Sequence, residues 1–341
     1  MSSVEQPPPV DKLWLRFFDG HAGAIWWATI VLFGISPLVA SGSLASAPIL
    51  SMLPFAAVLA IAAAGQTLIV QQRGLDLSVP GCIALGAALA TGLPQNHGWS
   101  VWTGVAAGVI APGLVGLVNG VLVTRLGVMP LVATLGMNAV LLGTVFSFAN
   151  GTPAGAPDSL NQFALDRTVG IPNTALIAVV VVGIAGVVSR RSITGRRLTA
   201  VGVSEPAAAA LGIRVRMYQT LAYGFAGLCY GAAGVLLAGY TKTPALFLGD
   251  SYLLPTVAAV VLGGTALTGG IASVVSTGVA ALFLTQLGQL LRALGWPDSS
   301  QLIAQSAALI IVVVAREVVP ILATQMSRRR LGVARSAGAA G

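Results

Sequence analysis

Apolar residues run along this chain in long blocks. A helix needs about 20 predominantly apolar residues to cross the hydrocarbon core of a bilayer. Ten blocks suit that role: 24–41, 49–71, 77–93, 100–123, 130–149, 172–189, 217–240, 252–263, 271–291 and 301–322. Three carry interruptions. Pro54 breaks 49–71, Pro80 and Gly81 fall inside 77–93, and 252–263 is short with Pro255 near its start. The pattern predicts an all-α, polytopic membrane protein of about ten helices, some of them interrupted.

Composition agrees. Hydrophobic residues make up 56% of the 341 and charged residues 8%, with a mean hydropathy of +0.88. A soluble domain carries about 25% charged residues, so this chain could not cover itself with a water-compatible surface. Its 42 glycines suit close helix packing in lipid. Lys12 and Arg16 precede the first block, and "ASA" at 45–47 has the form of a signal-peptidase site. The block is longer than a signal sequence's apolar region, and Trp26 and Trp27 suit interface anchors, so it reads as the first span. Cys82 and Cys229 lie inside apolar stretches with neither disulfide nor metal spacing, and read as packing residues.

The net charge of +8 sorts by side. With the N-terminus in the cytoplasm, fifteen basic residues face inward, and three, Arg167, Lys242 and Arg292, face outward. That is the bias expected of a bacterial membrane protein, and it removes the case for nucleic acid. The organisation is then a cytoplasmic arm (1–23), a transmembrane domain (24–322) and a basic cytoplasmic tail (323–341). The largest inner loop is 190–216, and it holds six arginines. The largest outer loop, 150–171, has turn residues, two aspartates and a short apolar patch fit for a small surface helix; it either closes the outer mouth or merely connects.

Energy sources can be tested by absence. A P-loop needs a lysine after a glycine-rich turn, and the only lysines, Lys12 and Lys242, do not follow glycine. Ion-driven carriers usually hold an ionisable group near the midplane. The span interiors contain none; Asp76 falls in a short inner loop, and Glu317 lies beside Arg316 near the end of the last span. With two histidines and no paired carboxylates inside the spans, no catalytic constellation emerges.

The arginine island, "RRSITGRRLTAVGVSEPAAAALGIRVR", contains a helix signal. Ser204 suits an N-cap, Pro206 is tolerated in a first turn, Ala207 to Ala210 propagate the helix and Gly212 suits the C-cap. The rod is about 12 Å long and too short to stand alone in water, so it needs a partner surface. Its arginines alone would fit a simple inside anchor; the capped helix between them favours docking.

"GRRLTAVGVSEPAAAALGI" (195–213) resembles the cytoplasmic coupling segment of ABC-importer permeases of the ribose type. Gly195, Arg196, Arg197, Ala200, Gly202, Ser204, Glu205, Ala207, Ala208, Gly212 and Ile213 lie within that stretch. "GQTLIVQQRGLDLSVPG" (65–81), "GLVNGVLVTRLGVMPLVATLG" (116–136) and "VAAVVLGGTALTGGIASVVST" (257–277) resemble three further segments of the family. Pro80, Pro206 and Ala266 depart from it. The resemblance implies a permease of the bacterial inner membrane that dimerises with itself or a homologue. It also implies a separate ATPase subunit holding ATP and Mg, a substrate-binding protein outside, and helix 204–211 seated on the ATPase. A monosaccharide or similar small polar solute is the expected cargo, nucleosides the nearest rival, and branched-chain amino acids a more distant one. A self-sufficient carrier or channel is the alternative of a different class.

Three motifs remain. In "RGLDLS", Gly74, Asp76, Leu77 and Ser78 either cap the next helix through the Asp76 carboxylate or take part in gating. In "GGTALTGG", Gly263, Gly264, Gly269 and Gly270 form either a second break beside the pathway or a flexible turn between packed spans. Amides within the spans, Gln66, Asn119, Asn138, Gln286, Gln289 and Gln305, either meet solute hydroxyls or hydrogen-bond between helices. Gln286 and Gln289 share one helical face.

Overall fold

A computed structural model describes residues 23–297, 299–307, 310 and 314. The elements in chain order are α1 (Gly23–Val39), α2 (Ser46–Val70), α3 (Val79–His97), α4 (Val101–Thr124), α5 (Pro130–Phe148) and α6 (Asp158–Leu165). A two-residue hairpin follows, β1 (Arg167–Thr168) and β2 (Ile171–Pro172). Then come α7 (Asn173–Arg191), α8 (Ile193–Val203), α9 (Glu205–Ala210), α10 (Val215–Thr241), α11 (Leu253–Leu262) and α12 (Val274–Ala293).

Nine of the ten expected segments coincide with helices; the tenth, 301–322, lies largely outside the described residues, as do almost all of the arm 1–23 and the whole tail 323–341. Among the described residues, α2, α4, α5, α7, α10 and α12 are long and apolar enough to cross a membrane, and α1 and α11 are shorter apolar helices. The chain is a multi-pass, all-α membrane protein.

The prolines behave differently from one another. Pro80 and Pro255 sit in the first turns of α3 and α11, where a missing N–H costs little. Pro54 was expected to interrupt its span, but α2 runs through it unbroken for 25 residues. Packing around α2 on several sides makes this tolerable, as it commonly does inside membranes.

The core is built around α2 and α10. Helix α10 packs on α4, α2 and α3, and α2 packs on α10, α12, α7 and α11. Small residues allow the approach. A Cβ at Gly116 of α4 would stand 2.2 Å from the Tyr223 carbonyl oxygen, and one at Gly227 of α10 would stand 2.1 Å from that of Pro112. No side chain fits at either point, so the α4–α10 seam is set by backbone contact.

The outer loop carries the small helix expected of it. α6 buries Leu160, Asn161 and Ala164, and packs on the end of α10. The Asn161 Nδ2 donates to the Gly239 carbonyl at 2.7 Å, and the Ala156 N–H to that of Lys242 at 2.6 Å.

Candidate functional site: a junction of three motifs on the basic face

The island 190–216 holds more structure than the loop with one short helix expected from its sequence. Helix α7 continues to Arg191, and a full helix, α8, precedes α9. Ser192 caps α8, its Oγ accepting the Gly195 N–H at 3.0 Å. Gly195 is held against α7, where a Cβ would stand 2.1 Å from the Ser189 carbonyl oxygen. The buried residues Gly195, Leu198, Val201 and Gly202 recur at helical spacing, a signal that the arginines between them obscure.

α9 forms as its sequence predicts. The Ser204 Oγ accepts the Ala207 N–H at 3.4 Å. At the other end Gly212 adopts φ +75°, donating to the Ala209 carbonyl at 2.9 Å, while the Ile213 N–H reaches the Ala208 carbonyl at 3.0 Å. Those two bonds are the Schellman pattern, which uses carbonyls a helix end would otherwise leave unpaired. Only Ala208 is buried; it and the half-buried Ile213 pack with Leu198, Val201, Tyr218 and Ala222. Ala207, Ala209 and Ala210 are exposed, and Leu211 is 79% exposed at the tip. Glu205 accepts from Gln219 Nε2 at 2.7 Å, tying α9 to α10. Arg196 donates to the Arg191 carbonyl, and Arg197 to the Tyr218 hydroxyl at 2.9 Å.

The other face of α8 meets both helix breaks. Gln71, which ends α2, donates from Nε2 to Thr199 Oγ1 at 2.9 Å, and its carbonyl accepts the Gly270 N–H at 2.8 Å. Arg73 donates from Nε to the Gly202 carbonyl at 3.1 Å and from Nη2 to that of Val203 at 2.6 Å. A Cβ on Gly202 would stand 2.0 Å from the Gln71 carbonyl oxygen, and one on Gly269 would stand 2.5 Å from Arg73 Cγ. Three motifs far apart in the sequence therefore meet at one point. Gly263 and Gly264 lie just before this meeting, at the end of α11, where Gly263 backs onto Thr277 of α12.

Asp76 is the main surprise. The sequence places it in a short inner loop, either as the cap of the next helix or with a part in gating. In the fold the cap position of α3 is Ser78, and Asp76 stands two residues earlier. Its Oδ1 accepts the Ser78 N–H at 2.8 Å and the Ser78 hydroxyl at 2.6 Å. It is fully buried, as is Ser78. The Leu77 N–H donates to Thr134 Oγ1 at 2.9 Å, Asn119 Nδ2 to Ser78 Oγ at 3.0 Å, and the Gly81 N–H to Asn138 Oδ1 at 2.8 Å. Gly74 packs beside Ile69 and the Tyr223 hydroxyl. Irregular backbone is tolerated at such a place only inside protein. The chain thus holds a carboxylate in its core, where the sequence showed no ionisable group within a span.

The span amides tie helices together. Gln66 accepts from the Tyr230 hydroxyl, Gln286 donates to Ser36 Oγ at 3.0 Å and Gln289 to the Ser43 carbonyl at 3.1 Å. Gln66, Asn119 and Gln286 are fully buried, whereas Asn138, Gln289 and Gln305 keep some surface.

These motifs invite comparison with known proteins. The family described as "Branched-chain amino acid transport system / permease component" matches residues 48–314. This chain belongs to that family. The permease is 32% identical over 268 residues to the ribose import permease protein RbsC of Bacillus subtilis, covering 78% of this chain and 83% of that one. It is 30% identical over 294 residues to RbsC of Escherichia coli K12, covering 84% and 90%. The fructose import permease protein FruF of Bifidobacterium longum is 30% identical over 298 residues, covering 85% and 83%. No solved structure matches the chain. The matched span includes all three motifs of the junction and both helix breaks.

Proposed function

We propose that this permease is the membrane subunit of an ATP-binding cassette importer that carries a monosaccharide, or a small polar solute of similar size, into the cell. Family membership and relatives named for ribose and fructose import support the class. One observation carries the mechanism. α9 leaves most of its surface exposed, while α8, joined to it at Ser204, is hydrogen-bonded to the first helix break at Gln71 and Arg73 and packs on the second at Gly269 and Gly270.

The arginine-bearing face is cytoplasmic in this reading, by the charge bias between the two sides. A separate ATPase subunit binds ATP and Mg and seats α9 in a groove. Its closure moves α8, and α8 moves Gln71, Arg73 and Gly270 with it, because these contacts are direct. The spans around the two breaks then switch access. A substrate-binding protein delivers solute outside, and a second permease subunit, a copy or a homologue, completes the pathway in the bacterial inner membrane. Asn138 and Gln289 are the first amides to examine for solute contact, since Gln66, Asn119 and Gln286 are sealed in the core.

Reconstitution in vesicles tests this reading. Uptake should require the ATPase, ATP and the binding protein, and deletion of 204–211 should abolish ATPase binding while the helices still form. Normal ATPase binding by the deletion, or concentrative uptake by the permease alone on an ion gradient, would overturn it. A sugar panel on the cognate binding protein identifies the solute.

A further inference from the structure

The membrane-facing side of the permease carries a deep apolar groove of about 450 Å³. One wall is Ile184 and Val188 of α7; the other is Leu114 of α4 with Leu221 and Phe225 of α10; Leu68 of α2 contributes to the floor. The groove exists because α7 packs on α2, α8 and α12 rather than on α4 or α10. Leu117 and Leu228 are also drawn across the α4–α10 seam, where Gly224 and Gly113 leave them room. Along α10 the groove runs from Tyr218 to Leu228, about 15 Å of helix. That is the depth of one leaflet of a hydrocarbon core about 30 Å thick.

The mouth is chemically different from the walls. Ser189 and Thr194 lie there with Tyr218, whose hydroxyl accepts from the exposed Arg197. Arg214 stands one turn before Tyr218, at the start of α10. Among the described residues, neither arginine has a carboxylate within ion-pair distance.

We propose that this groove seats an acyl chain of an anionic phospholipid from the leaflet on the basic face, with its phosphate held at Arg197 and Arg214. The charge at the mouth selects this occupant. A second copy bringing the same face, or the C-terminal segment with Arg316, Arg328, Arg329, Arg330 and Arg335, would set arginine against arginine. The proposal depends on the membrane reading alone and stands whether or not α9 docks on an ATPase.

The test is native mass spectrometry of the purified permease after exchange into phosphatidylglycerol or phosphatidylcholine nanodiscs. One phosphatidylglycerol should survive release from the nanodisc in preference to phosphatidylcholine. Each of R197Q and R214Q should lower that preference about fivefold, since a basic residue near the surface has roughly this effect on anionic lipid binding. I184W together with L221W should fill the groove and abolish retention of either lipid. Unchanged retention in the tryptophan variant, or unchanged headgroup preference in both arginine variants, would overturn the proposal. Should the tryptophan variant not fold, L221C provides the alternative readout. Disulfide-linked dimers across that position would show that a second copy covers the groove and overturn the proposal; labelling by a lipid-soluble maleimide that phosphatidylglycerol slows and phosphatidylcholine does not would support it.

Discussion

Two short helices lie on opposite faces of this permease, and they are finished to different degrees. α6 turns its apolar side onto α10 and is pinned there by Asn161 and by the Ala156 amide. α9 buries one alanine, and its tip is Leu211, largely exposed. A helix of that length does not persist in water on its own propensity. α6 obtains its stability from the chain itself; α9 relies on two caps, one buried side chain and Glu205, and leaves an apolar tip for something else. The difference is the reason α9, rather than α6, is the helix proposed to meet a partner.

Substitutions can break this comparison. The largest effect should come from Gly202→Val, which removes the seat of α9 by driving a side chain into the Gln71 carbonyl. A loss of about 3 kcal/mol is expected from such overpacking, read as a lower unfolding temperature in detergent together with lost transport. Asn161→Ala should cost about 2 kcal/mol by leaving the buried Gly239 carbonyl unpaired, with ATPase binding unchanged. Leu211→Glu should leave unfolding unaltered yet weaken ATPase binding about tenfold, the scale of an interface anchor; a pull-down titration reads it. Gly212→Ala forces an alanine into the left-handed region and should cost about 1 kcal/mol, confined to α9. Its readout is faster proteolysis at 204–214. Asp158→Asn should change nothing measurable, because its ion pair with Lys242 is exposed on both sides.

What the sequence disclosed follows the range of the interactions involved. The caps of α9 were legible because Ser204 and Gly212 act within a few residues. The span positions were legible because apolar length is a local property, and even Pro80 and Pro255 turned out to begin helices in their segments. α8 was hidden because Arg196 and Arg197 interrupt its buried stripe. The burial of Asp76 and the meeting of Gln71, Gly202 and Gly270 depend on contacts between distant segments, which a single sequence does not record. The family motifs include residues that meet in the fold, without showing that they touch.

One small departure has a mechanical meaning. Pro206 stands where an amide would be needed to serve the Gly202 carbonyl if α8 and α9 were one continuous helix, and proline has no such amide. The Arg73 guanidinium serves that oxygen instead, from another part of the chain. The elbow between the two rods is therefore splinted from outside, and it cannot straighten unless the splint is withdrawn and an oxygen is left bare. In the proposed coupling, force arriving at the forearm would therefore pass to the body of the molecule rather than be lost in bending.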